Sequence, residues 1–374
     1  MFETLFQGNK DVFLAGVRAK FDAVEQQAVR AVTSLEQNGL LGSDTVTDGL
    51  FTEVSNVADD GNRVVWRHVT VAGVQQMGTR VAGGSYPEGS FPRGWETVVV
   101  DPNLQDAVEF TVPEERLDAE GKKYKQYLDR ANLAVIDARR KNIGDPFDVL
   151  NQAFILPASY ASAKFVGKGN NGLDDNGTAL NERLITITHK IAMTNAATST
   201  ALSNCVVNSG NHAAFNDTYY YAAKEQFTSF VDDVNKPMPM GGGMLTLVVP
   251  NTNGLVRTAQ EINKSDWKVG TANNEVNVLQ STVGRIIASP YLTNSINYST
   301  ANTQNKKWFL IDTSLQMPEV GTGLIRVCFV PTTSRTEPKP GEDSIVYKLK
   351  QSYSYGFCDF RNLVGSLGDN STAS

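Results

Sequence analysis

The chain has 374 residues, with 34 Lys and Arg against 40 Asp and Glu, a formal net charge of -6 and a pI near 5.3. This balance excludes a global basic field able to hold phosphate backbones and so disfavours dedicated nucleic-acid binding, while leaving room for local basic patches. No run approaches the roughly 18–20 consecutive apolar residues of a membrane span, no charged n-region precedes an apolar stretch, and Cys205, Cys328 and Cys358 are widely spaced and never form a Cys-x-x-Cys pair, so a soluble chain of reducing, intracellular origin is expected.

Residues 10–37 place Phe13, Val17, Phe21, Val24, Ala28, Ala31 and Leu35 at steps of three and four. That spacing predicts an amphipathic helix ending at Gly39, suited to docking on another surface. Residues 40–62 are rich in Gly, Asp and Thr and are read as a linker. Residues 63–110 hold two strand-like runs, 64–71 and 96–100, around a tip with Gly78, Gly83, Gly84, Pro87, Gly89, Pro92 and Gly94. They read as a long two-stranded arm. Its aromatic residues Tyr86, Phe91 and Trp95 exceed what a solvated loop needs and mark a contact surface, unless they fold back as a local cluster.

A long helix is expected next, over residues 111–142. Thr111 and Glu114 have the spacing of a capping box, with Pro113 among the first-turn amides that lack an intrahelical partner. Leu117, Gly121, Tyr124, Leu128, Ala131, Val135 and Ala138 form one narrow apolar seam on an otherwise polar rod. Arg139, Arg140 and Lys141 would lie at its negative end. Gly144 is expected to stop or bend the helix, and Asp145-Pro146 to open a shorter piece reaching Phe154.

The rest predicts a second, α+β region. A Gly/Asn/Asp loop spans 167–177, and residues 184–189 alternate as a strand would. A helix is expected over 217–234 with Tyr220, Ala223, Phe227, Phe230, Val231 and Val234 on one side. A buried strand over 245–249 follows, then a helix over 252–264 opened by Pro250, and strands at 284–289, 308–312 and 323–330. Alternation over 345–360 predicts a closing extended strand, and residues 369–374 a soft tail.

No constellation rises to an enzyme signal. His68, His189 and His212 are isolated and lack metal-ligand spacing. Asp174-Asp175-Asn176-Gly177 lacks the glycine and terminal glutamate of a calcium loop. Gly241-Gly242-Gly243 leads into a strand rather than a helix, so it does not build a phosphate cradle. The cysteines have no histidine nearby to activate a thiol, and no Gly-x-Ser-x-Gly elbow is present. No catalytic, cofactor-binding or metal-ligating residue is expected.

The order of parts is informative where the single motifs are not. Leu247-Val248-Val249-Pro250 precedes the helix over 255–263; Gly284-Arg285-Ile286-Ile287-Ala288-Ser289-Pro290-Tyr291-Leu292 and Lys307-Trp308-Phe309-Leu310-Ile311-Asp312 follow, and Tyr355-Gly356-Phe357-Cys358-Asp359-Phe360-Arg361 and Gly365-Ser366-Leu367-Gly368 close the chain. In that order the sequence resembles the major capsid proteins of tailed bacteriophages, with the α+β Hong Kong 97-type fold, and within them looks most like Mu-like head subunits. The stretch 167–211 departs from the pattern in its richness in Asn, Thr and Ser.

The resemblance implies an N-terminal arm (1–62), an extended β-hairpin E-loop (63–110), a P-domain spine helix (111–165), an A-domain with adjoining P-domain strands (166–340), a C-terminal P-domain strand (341–368) and a flexible tail (369–374). It implies a structural protein that self-assembles in the host cytoplasm into pentamers and hexamers of an icosahedral virion shell. The shell would enclose double-stranded DNA without sequence-specific binding, and scaffold, portal and decoration proteins are the expected partners. Arg80, Tyr86, Phe91, Arg93 and Trp95 are then E-loop contact candidates, and Arg139, Arg140 and Lys141 inter-subunit salt-bridge candidates; for the last three, helix-end electrostatics is the competing reading. An encapsulin-type nanocompartment shell and a cytoplasmic α+β enzyme are the alternatives. No Lys–Asn cross-link is expected.

Overall fold

The computed structural model describes residues 50–55, 105–111, 122–156, 183–190, 201–231, 237–238, 240–242, 245–267, 276–292, 306–313, 323–338 and 344–373, together with residue 26 and the strands at 58–59, 64–71 and 93–100. The helix expected over 10–37, the 167–177 loop and most of the arm tip lie outside the described residues. In chain order the elements are β1 (Thr52–Val54), β2 (Ala58–Asp59), β3 (Val64–Val71), β4 (Arg93–Val100), β5 (Gln105–Thr111), α1 (Lys122–Asn151), β6 (His189–Lys190), β7 (Ala201–Leu202), β8 (Val207–Asn208), β9 (Asn211–His212), α2 (Asp217–Thr228), β10 (Leu245–Pro250), α3 (Asn253–Lys264), β11 (Val283–Ser289), β12 (Trp308–Asp312), β13 (Leu324–Pro338), β14 (Ser344–Phe357) and β15 (Leu363–Ser366). Helix and sheet are mixed, as an α+β chain requires.

Two compact units divide the chain. One comprises Met1–Asp44, Pro102–Gly144 and Cys328–Tyr353; the other comprises Thr45–Asp101, Asp145–Val327 and Ser354–Ser374. In the first unit β5 pairs antiparallel with β14, from Gln105 opposite Lys350 to Thr111 opposite Ser344. Thr111 is therefore a strand residue, not a helix cap, and β5 belongs to a different sheet from the β3–β4 hairpin. On the helix, Val135 and Ala138 are buried while Asp129, Leu133, Asp137 and Lys141 are exposed. Val135 and Ala138 are the two positions of the expected seam whose burial is described; Leu117, Gly121, Tyr124, Leu128 and Ala131 lie outside that description.

Helix α1 has 30 residues, about 45 Å at a rise of about 1.5 Å per residue. Its length matches the expectation, but its span extends further toward the C-terminus. Gly144 does not stop it, and Pro146 lies inside it. The reason is packing. Residues 142–150 are all buried, with Ile143, Phe147, Val149 and Leu150 at 1% exposure or less. Burying such side chains is worth roughly 1.5–3 kcal/mol each, which offsets an interior glycine at about 1 kcal/mol and a proline at about 3.

The second unit is built on a four-stranded sheet in the order β11-β10-β12-β15. β10 and β11 run parallel, and α3 supplies the crossover that a parallel pair requires. β10 and β12 are antiparallel, as are β12 and β15. Every residue of β10, β12 and β15 is buried, in keeping with their continuous apolar sequence. Trp308 donates its indole N–H to the Ala213 carbonyl at 3.0 Å. Helix α2 is capped by Asn216, whose side chain accepts from the Tyr219 amide at 2.9 Å, and it buries Tyr220, Ala223 and Phe227. Pro250 ends β10 rather than opening α3, whose N-cap is Thr252. Of the strand expected over 184–189, only His189 pairs, as the start of β6.

Three further expectations are corrected in this unit. Residues 40–62 are not all linker: Leu50 and Phe51 are buried, and β1 pairs in parallel with Ile325–Val327. Glu53 Oε2 lies 3.2 Å from Arg326 Nε, an ion pair whose alignment falls short of a hydrogen bond. The closing strand is not continuous to Phe360 and beyond. β14 ends at Phe357, and a turn at 359–362, held by Asp359 and Arg361, leads into β15 in the other sheet. That turn lies against Gly323, whose φ of +78° suits glycine and where a Cβ would sit 2.8 Å from the Asp359 carbonyl oxygen. Finally, residues 369–373 are not a loose tail but pair with residues 210–212.

Candidate functional site

The arm exists as a hairpin. β3 and β4 pair antiparallel from Val65 opposite Val100 to Val71 opposite Arg93, with a register shift between Val69 and Val71. β2 adds a third strand against Val64 and Val65. The valine-rich runs drive the pairing, since β-branched residues fit a pleated surface well. Of the expected contact residues, Arg93 opens β4 and Trp95 lies within it. Arg80, Tyr86 and Phe91 fall outside the described residues.

Arg139, Arg140 and Lys141 lie in the interior of α1, which continues to Asn151. Helix-end electrostatics is therefore not their role. Lys141 pairs within the chain, its Nζ 2.7 Å from Asp137 Oδ2 one turn earlier, with both side chains about half exposed. Such a pair contributes about 0.3–0.5 kcal/mol. The cation that meets the end of α1 is instead Lys307, which donates from Nζ to the Asn151 carbonyl at 2.9 Å. Burial lowers the Lys307 pKa to about 8, with the Asp369 carboxylate opposing the shift. Residue order hides this partner, because Lys307 and Asn151 are 156 positions apart.

An exposed apolar face lies beyond α3. Trp267 and Val276 form an antiparallel bridge, and they are 55% and 69% exposed, with Val278 at 75%. Val278 follows at the start of a turn. The intervening Asn277 points inward and fixes the segment, donating from Nδ2 to the carbonyls of Ile262 at 2.7 Å and Ser265 at 2.8 Å. Its Oδ1 accepts from the Leu279 amide at 3.0 Å. The side chain thus satisfies carbonyls that the end of α3 leaves without partners.

His189 and His212 are packed into the core. His189 stacks on Phe360 with ring centroids 3.6 Å apart, and its Nε2 meets Asn204 Oδ1 at 2.9 Å. Asn204 also accepts from the Thr186 amide and donates to the Leu184 carbonyl. Contrary to expectation, a cysteine does have a histidine beside it: Cys205 Sγ is 3.4 Å from His212 Nδ1. The pair is not an activated nucleophile. Burial pushes the Cys205 thiol up to about 12 and lowers the pKa of His212, so both are held neutral, whereas an attacking thiolate needs the opposite shift. Among the described residues no group of three or more His, Cys, Asp or Glu is placed to hold a metal ion, and no helix is long and apolar enough to cross a membrane.

No family model matches this sequence, and no curated protein matches it. Solved structures do resemble it. The capsid of the cyanophage P-SCSP1u is similar at 14% identity and a TM-score of 0.43, with 88% of each chain covered. The capsid of Ralstonia phage GP4 is similar at 12% identity and a TM-score of 0.43, with 87% of each chain covered. A virus-like particle from Pyrococcus furiosus is similar at 10% identity and a TM-score of 0.39, covering 93% of this chain and 98% of that one.

Proposed function

We propose that this chain is a major capsid protein of a tailed bacteriophage, a non-enzymatic subunit that self-assembles into an icosahedral shell around double-stranded DNA. The observation that carries the reading is the order of elements: an extended hairpin, a 30-residue helix, and an α+β unit reached before the chain closes through two long strands. That is the order implied by the residues 247–250, 284–292, 307–312 and 355–368 on which the sequence resemblance rests. The β3–β4 hairpin serves as the E-loop, with Arg80, Tyr86, Phe91, Arg93 and Trp95 near its tip as contacts to a neighbouring subunit. Arg139, Arg140 and Lys141 lie on the spine helix, where Lys141 would exchange or share Asp137 with a neighbour. Shell subunits meet through several such surfaces at once, as obligate assemblies do. Scaffold, portal and decoration proteins are candidate partners for this role, and the sequence resemblance to Mu-like head subunits supports that kind of head.

The test is to replace residues 83–91 with a short turn and compare sedimentation with the unaltered protein. The reading expects a folded subunit, by circular dichroism and cooperative melting, that no longer forms large particles. Unimpaired assembly, or loss of the soluble fold, would count against the arm as the reach between subunits.

A further inference from the structure

The segment 367–373 is held along β9, and His212 makes two of its backbone hydrogen bonds. The His212 amide donates to the Ser371 carbonyl at 2.8 Å, and the Asn370 amide donates back to the His212 carbonyl at 3.2 Å. One step further, the Ala373 amide donates to Gly210 at 3.0 Å, and Asn211 bridges Thr372. The imidazole joins the same grip, because its Nδ1 is approached by the Leu367 amide at 3.5 Å and by Cys205 Sγ at 3.4 Å. An amide N–H can only donate. Nδ1 must therefore carry a lone pair while the segment is docked, which fixes His212 as the neutral tautomer with its proton on Nε2.

We propose that residues 367–373 form an acid-released latch: protonation of His212 turns Nδ1 from acceptor to donor, sets it against the Leu367 amide, and frees the segment from β9. Cys205 can rotate its S–H away, but the Leu367 amide cannot. Release also uncovers the backbone edge of Asn211 and His212, which is then open to another strand. Among the described residues, the titratable or charged groups acting on His212 are Asp369 on the segment, which favours the charged ring, and Arg183, which opposes it. The Cys205 thiol stays protonated, and Lys307 acts on the cluster through Asp369. Phe154, packed edge-to-face on the ring from the turn after α1, adds no charge.

The direction follows from the shift. Burial, the largest cause, puts the docked His212 below the 6.5 of a free imidazole, so the released state binds the proton more readily. Docking is fully favoured above that value and weakens as the pH falls through it, by at most about tenfold per pH unit for one proton.

The experiment is hydrogen–deuterium exchange of the full chain at pH 7.5, 6.0 and 5.0, corrected for intrinsic exchange, comparing a peptide over 367–373 with one over β10. Protection of 367–373 is expected to fall about tenfold toward pH 5.0 while β10 is unchanged, and His212→Gln, neutral throughout, is expected to flatten the dependence. A flat wild-type profile, or the same fall in His212→Gln, overturns the latch. Asp369→Asn serves as a second variant if His212→Gln does not fold. Removing the charge that favours the protonated ring in the docked state lowers the docked pKa further and leaves the released one unchanged, so the release must deepen and move to higher pH, and a move to lower pH contradicts the proposal.

Discussion

Lys307 places its ammonium 2.9 Å from the carbonyl oxygen of Asn151, the last residue of α1. Asn151 is fixed in turn by its side chain, which donates to the Tyr291 carbonyl at 3.0 Å. A cation at a helix C-terminus is favourable, and here it is a buried one at 7% exposure. The long helix therefore ends on a charge drawn from a distant part of the same unit.

That burial predicts a pH signature. The folded Lys307 has a pKa of about 8 against an ordinary 10.5. Between those values the unfolded chain still binds the proton that the folded one has lost, so stability rises with pH across the window, by on the order of 3 kcal/mol. Urea unfolding of the wild type and of Lys307→Met at several pH values should show this rise in the first and not in the second. Parallel profiles would mean that Lys307 is solvated.

Phe51 should behave as a core residue. It is 2% exposed and meets Tyr355 edge-on, with ring centroids 6.4 Å apart. Phe51→Ala is expected to cost about 3–5 kcal/mol, measured by chemical denaturation. A change within about 0.5 kcal/mol, usual for exposed positions, would restore the linker reading of this stretch.

The turn ahead of β15 rests on a buried ion pair. Arg361 donates from Nη1 to Asp359 Oδ2 and from its amide to Asp359 Oδ1, both at 2.8 Å, and from Nε to the Val231 carbonyl at 2.9 Å. Asp359→Ala leaves the guanidinium buried without its counter-charge and should cost about 3–5 kcal/mol. Asp359→Leu combined with Arg361→Met should recover most of that loss. A double variant no more stable than the single one would show that the pair's contribution lies in its backbone hydrogen bonds.

What the sequence made legible was local. Leu245 to Val249 and Trp308 to Asp312 announce buried strands by unbroken apolar runs, and Tyr220, Ala223 and Phe227 announce the buried stripe of α2. The runs at 64–71 and 96–100 announce the two strands of the arm. What stayed hidden depends on partners far along the chain. Leu50 and Phe51 lead into a three-residue strand, Thr52–Val54, whose partners begin at Ile325, too short to show a period. Gly144 and Pro146 carry local stop signals that burial of residues 142–150 overrides. The pairing of residues 369–373 is made by backbone groups of Gly210 and His212, which leave no side-chain pattern. The contact candidates of the arm stand out only as aromatic and basic outliers, a compositional signal. The exposed face of Trp267, Val276 and Val278 is set by Asn277 holding the end of α3, a relationship visible only in three dimensions.

The central claim is that the hairpin, the spine helix and the α+β unit are parts of a shell subunit, and electron microscopy of the expressed protein tests it most directly. Closed particles with five-fold and six-fold clusters of subunits are predicted, filled with DNA when recovered from virions. A protein that stays monomeric under every assembly condition would contradict the account, and particles filled with a cargo enzyme instead of DNA would contradict the viral role while leaving the shell fold in place.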